Sequence, residues 1–328
     1  MVLQVFVTIF MLAVLSVVAS CDSKQKSQAA NSYNAQSEST NGVVQQMTSN
    51  DWQVKEEVLG LRQFLYADGS LKELASLRFD PNQMVDEQGR SWRLPSAGFE
   101  INKVFDNVCL LVENGKPQQA LDFLKSENIK HDLKRDPAYW LVSAYARQRL
   151  GDVQGARLSL HEALRLPEME TRIVLNVWKV LRELGDKPEA KSANQVLGVI
   201  AEIGHEQTVV IVAGYADGES RLFLGSGAGV IGKKESFPED TRTAAKELIA
   251  AAQPFANSLP LENTRDLPKR GQVRFVLLTS SGIYAIKDDI GQVSKKDSGR
   301  HSLWIASNAL LTPLLKFMFN DSDRIKQR

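Results

Sequence analysis

Cysteine is scarce in this chain, with only Cys21 and Cys109 among 328 residues. That excludes a disulfide-stapled scaffold and a multi-cysteine zinc site. Excess charge of one sign is also missing, since 40 basic side chains face 39 acidic ones and leave a formal net charge of +1. The basic surplus that marks nucleic-acid binders is absent, so no nucleic-acid partner is expected. The four histidines, His131, His161, His205 and His301, are scattered, and no H-E-x-x-H or G-x-S-x-G pattern occurs. No catalytic residue and no metal ligand are therefore assigned, and the chain is read as a non-enzyme. What remains is an ordinary globular composition, 43% hydrophobic and 24% charged. At roughly 100–200 residues per domain, the length allows two folded domains and a tail.

One long apolar run is present, Val5 to Val18 (VFVTIFMLAVLSVV). At about 14 residues it falls short of the roughly 20 that span a bilayer and suits the apolar region of an export signal, so residues 1–20 are expected to be a signal peptide. Met1 to Gln4 lacks the Lys or Arg usual at the start of such a signal. Next comes Val18-Ala19-Ser20-Cys21, an aliphatic residue and two small ones before a cysteine, which resembles the bacterial lipobox. The resemblance implies a lipoprotein whose Cys21 carries palmitate-type acyl chains. More than one chain gives stable membrane anchoring. The body would then face the periplasm or the exterior, and Asp22 resembles the inner-membrane retention signal of enterobacterial lipoproteins. Residues 21–50 are rich in Ser, Asn and Gln with little to bury, and are expected to form a disordered tether.

Residues 51–98 carry helical spacing at Val58, Leu61, Leu65, Leu71 and Leu74, interrupted by a turn signal at Asp68-Gly69. Met84 to Leu94 reads as a small hairpin. Beyond them a pattern repeats: Gly115-Lys-Pro-Gln-Gln-Ala120, Gly151-Asp-Val-Gln-Gly-Ala156 and Gly185-Asp-Lys-Pro-Glu-Ala190, in steps of 36 and 34 residues. A glycine ending one helix, a polar turn and an alanine in the next helix predict stacked helical hairpins over residues 99–203. In the central copy Trp140, Ala144, Ala156, Leu160 and Ala163, followed by Pro167, resemble the tetratricopeptide repeat. The flanking copies depart from it at Val108, Glu127 and Trp178. The resemblance implies a protein- or peptide-binding array, and a non-repeat helical bundle is the alternative. Asn107, Arg147, Lys179 and Arg182 on the first helices are the expected partner-binding residues, with solvated helix faces as the alternative. Cys109, in an apolar run, is read as a core residue.

After Gly204 the pattern turns to β-strand. Thr208–Ala213 and Arg221–Gly225 flank Asp217-Gly218, a hairpin turn signal. A helix over Asp240–Ala256, strands at Val273–Thr279 and Gly282–Ile286, and a helix over His301–Phe319 kinked near Pro313 complete the order β-β-α-β-β-α. Residues 205–328 are thus an α+β domain with an antiparallel sheet, loosely resembling profilin-like and roadblock-type modules in architecture. Gly227 to Gly232 fits G-x-G-x-x-G, and Gly227 to Lys233 fits G-x-x-x-x-G-K. Pro238 follows in a charged loop and Lys234 stands where a phosphate loop needs a hydroxyl, so no cofactor is expected and the run reads as a glycine turn entering an edge strand. His301 is read as structural.

The expected fold class is therefore a tetratricopeptide-like helical array followed by an α+β domain. The expected function is a membrane-anchored extracytoplasmic scaffold or adaptor that binds envelope proteins. The alternatives are an envelope enzyme or enzyme regulator acting through the α+β domain, and a structural subunit of an envelope machine.

Overall fold

The computed structural model describes residues 65–77, 97–167, 169–205, 208–224, 229–232, 237–259, 261 and 266–325. The expected signal peptide, Cys21, the tether, the Met84–Leu94 hairpin, and residues 225–228 and 233–236 around the glycine run lie outside them.

Helix ends set the frame of the first half. Helices α2 (Ala97–Glu113), α4 (Pro137–Arg149) and α6 (Thr171–Glu183) each run into a glycine of positive φ, at Gly115 (72°), Gly151 (79°) and Gly185 (84°). At all three the glycine N–H donates to one carbonyl of the last turn and the next N–H to the carbonyl before it: Gly115 to Val112 and Lys116 to Leu111, Gly151 to Gln148 and Asp152 to Arg147, Gly185 to Arg182 and Asp186 to Leu181. This is the Schellman closure, repeated three times, and it requires a residue without a Cβ penalty. The chain then turns back into α3 (Pro117–His131) and α5 (Val153–Arg165). Proline opens α3 and α4, where its missing N–H costs nothing, and the Asp136 and Asp152 carboxylates cap α4 and α5 by accepting from Ala138 and Gly155 N–H. The facing stripes bury Phe105, Val108 and Val112 of α2, Leu124 of α3, Leu141 and Val142 of α4, Leu160 of α5, and Val177, Val180 and Leu181 of α6 in one cluster. Ala120, Ala144, Ala156 and Ala163 are fully buried where helices meet closely.

The third hairpin departs from the sequence reading. A second helix is expected to run on toward Ile203, but only one turn forms, α7 (Ala190–Ala193), and the chain then enters strand β1 (Val196–His205). Helical stacking therefore ends near residue 193. The reason is two-sided burial: Val196, Val199, Ile200, Ala201 and Ile203 are all at most 3% exposed. Such a stretch is a central strand rather than one face of a hairpin.

β1 is the middle of a six-stranded antiparallel sheet of order β4-β3-β2-β1-β5-β6. Its partners are β2 (Thr208–Tyr215), β3 (Ser220–Leu224), β4 (Gly229–Gly232), β5 (Gln272–Thr279) and β6 (Gly282–Asp289). The Asp217-Gly218 and Ser280-Ser281 turns lie where expected, β4 is an edge strand at the end of the glycine run, and β1 is a strand that the sequence reading left out. One face is covered by α8 (Glu239–Ala252) and α10 (His301–Ile325), which pack on each other and on β2 and β3. A single turn, α9 (Ile290–Val293), precedes α10, and Pro313 sits inside α10. The other face carries Ile200, Ile211, Tyr215, Val276 and Leu278. Helices and sheet fall within one compact unit, Val54–Arg328. No helix among the described residues is long and apolar enough to cross a membrane.

Candidate functional site

The second sheet face is closed by a short segment from far upstream, Leu65–Leu77, which acts as a strap between helices and sheet. Its helix α1 (Leu71–Ala75) is only five residues long and is started by a capping box, Ser70 with Glu73. Leu71, Leu74 and Ala75 share one face at i, i+3 and i+4 and pack across α4 and α6. The Cys109 thiol donates to the Ala75 carbonyl at 3.4 Å, and Lys72 pairs with Glu113 at 2.9 Å. Cys109 is half-buried and its packing role is the one expected of it.

Upstream of α1, Leu65, Tyr66 and Ala67 are buried against the sheet. Here β1 and β5 place two opposite charges face to face, Glu202 opposite Arg274 in the register. They are 0% and 2% exposed and pair at 3.0 Å. The Tyr66 hydroxyl joins them, donating to Glu202 Oε1 at 2.6 Å and accepting from Arg274 Nη1 at 2.9 Å. Tyr215 donates to the Leu65 carbonyl at 2.8 Å, and burial pushes its hydroxyl well above the ordinary tyrosine range, so it stays a neutral donor.

A second ionic cluster ties α6 to the sheet. Arg172 pairs with Glu219 at 3.1 Å, and Glu219 also takes the Arg221 guanidinium, with Nε at 2.9 Å. Beside it the β2–β3 turn caps α6: Asp217 Oδ2 accepts from Thr171 N–H at 2.8 Å, and Thr171 Oγ1 accepts from Asp217 N–H at 3.2 Å.

The four expected partner-binding residues do not converge. Asn107 is exposed on α2, next to Leu110, itself 56% exposed. Arg147 turns to Asp152 in the following loop, at 2.8 Å. Lys179 and Arg182, expected to face outward, are engaged within the chain. Lys179 bonds the Asp68 and Gly69 carbonyls, both at 3.3 Å, and pairs with Asp68 and Glu183. Arg182 donates to the Ser280 carbonyl in the β5–β6 turn, and burial lowers its pKa. The physical reason is occupancy, because strap and sheet fill the surface that a free array would expose.

Tyr66, Glu202, Arg274, Arg172, Glu219 and Arg221 were missed at the sequence level. A signal existed for two of them: Glu202 and Arg274 are lone charges inside apolar β-rich runs, IAEIG and VRFVLL, and such charges are buried only in pairs. Elsewhere, His161 meets Asp186 at 2.7 Å and the Trp178 ring edge-on at 5.8 Å, linking α5 to the end of α6. His301 Nδ1 lies 3.2 Å from the Val293 carbonyl, a contact that fixes the start of α10. Among the described residues no cluster of three His, Cys, Asp or Glu could hold a metal ion.

Chemically, the seam presents a seat for a short amphipathic helix preceded by an aromatic hydroxyl. Comparison with known protein families, curated proteins and solved structures finds no match to this chain.

Proposed function

We propose that the protein is a scaffold or adaptor lipoprotein, held to a membrane through acylated Cys21 and facing the periplasm or exterior, that binds envelope proteins through its helical array. The carrying observation is the Schellman closure repeated at Gly115, Gly151 and Gly185, whose first two copies fold the chain back into α3 and α5, beside a surface on α4 and α6 that already accepts a short helix. A surface of this kind recognises peptide segments by apolar anchors at helical spacing. The tetratricopeptide-like copy around Trp140 and the lipobox at Val18–Cys21 support the same reading. The adjacent Asn107 and Leu110 remain available on α2 for a protein surface. The test is crosslinking in living cells followed by affinity capture of the full chain grown with a labelled fatty acid. Label on the wild type, its loss in Cys21→Ala, and an envelope protein captured with the wild type are expected. A chain that takes no label and captures nothing refutes the reading.

A further inference from the structure

We propose that the strap Leu65–Leu77 is a releasable occupant of the seam, and that an amphipathic partner helix with the strap's own chemistry takes the same seat. Three independent features make strap docking costly in ways that water relieves. Ala67 sits at φ 51°, the left-handed region that drives a Cβ against the next carbonyl, and it regains a relaxed backbone once undocked. The Asp68-Gly69 turn passes close to Asn176 of α6. A Cβ on Gly69 would lie 2.7 Å from Asn176 Nδ2, and Asn176 Oδ1 is buried with no hydrogen-bond partner until the turn lifts. The Glu202–Arg274 pair is sealed from water by Tyr66, so opening the strap restores hydration to both charges. The strands behind the strap are held in addition by the β1–β5 ladder and by Ile200 and Val276, both fully buried, so they open later.

The seat also specifies what enters it. It takes apolar side chains in the order Leu-x-x-Leu-Ala, with the small residue in a fully closed contact (Ala75, 0% exposed), and a tyrosine hydroxyl five residues ahead of the first leucine. Lys179 receives the carbonyls and carboxylate of the turn, and Glu113 receives a cation at the position of Lys72. The identity of the entering segment rests on the protein-binding reading above, whereas strap release does not.

The test is hydrogen exchange on the purified full chain, followed at Leu74 and Ser76, whose N–H groups are bonded to Ser70 and Lys72 carbonyls. These amides are expected to exchange at least about tenfold faster than those of β1 and β5, the sign of local opening. Ala67→Gly, which removes the left-handed penalty, should slow them about fivefold and leave β1 unchanged. Strap amides that exchange together with β1, or that ignore Ala67→Gly, overturn release. A labelled peptide of residues 65–77 should bind the full chain saturably, and more tightly in Tyr66→Phe, where the resident strap has lost its hydroxyl. Absence of binding to both overturns the exchangeable seat. Release and peptide binding without any partner captured in cells would count against the proposed function alone.

Discussion

At the scale of single residues, the seam is held by charges whose value depends on their partners. Removing one member of the Glu202–Arg274 pair leaves the other buried and uncompensated. Glu202→Ala or Arg274→Ala should therefore cost about 3–5 kcal/mol. The double replacement Glu202→Met with Arg274→Leu should be near neutral or stabilising. Chemical denaturation of the full chain separates the two outcomes. Asp186 gives a pH signature. Burial works to raise its pKa, but hydrogen bonds from His161, Arg157 and the Lys187 N–H outweigh that and hold it at about 2. A carboxyl lower in the folded state than in the unfolded chain stabilises above its unfolded value and loses that contribution as pH falls through its folded one. The stabilisation should thus be complete above about pH 4 and vanish toward pH 2. Asp186→Asn should flatten that step and cost about 1–2 kcal/mol at neutral pH, as read by thermal melts from pH 2 to 7. Glu202 and Arg274 were legible as oddities, lone charges in apolar strands. Tyr66 was not, because its partners lie far along the chain and no local pattern announces them.

At the scale of elements, the helix ends were the clearest part of the sequence. Each glycine of the 36- and 34-residue pattern turns out to close a helix in the same way, because only that residue takes positive φ without strain. Gly151 has open space where a methyl group would point, so the cost of Gly151→Ala is backbone strain alone. It should be about 1 kcal/mol, measured by thermal unfolding. Strand β1 was illegible for an equally physical reason. Val196, Val199, Ile200 and Ile203 fall at i, i+3, i+4 and i+7, the spacing of an amphipathic helix. A strand buried on both faces shows no alternation to contradict that spacing. Its flanking hairpins were readable because Asp217-Gly218 and Ser280-Ser281 mark their turns. The α+β class and the antiparallel pairing follow from them.

At the scale of the whole molecule, the array and the sheet share an interior. Leu175 of α6 belongs to the same buried cluster as Ile200, Ile211 and Val276 of the sheet, with Leu65 and Tyr66 of the strap between them. Lys179 and Arg182 were placed on the right helix but given the wrong neighbours, since a sequence pattern reports which face a residue occupies and not what packs on that face. The protein-binding reading accordingly moves to two places, the strap's seat and the exposed surface of α2 at Asn107 and Leu110. The most direct test of that reading is a photo-crosslinking amino acid placed in living cells at Asn107, compared with one at Lys269, exposed in the loop before β5. The account predicts a discrete envelope-protein adduct from position 107 and none from 269. Adducts confined to 269, or none from either position, would contradict it.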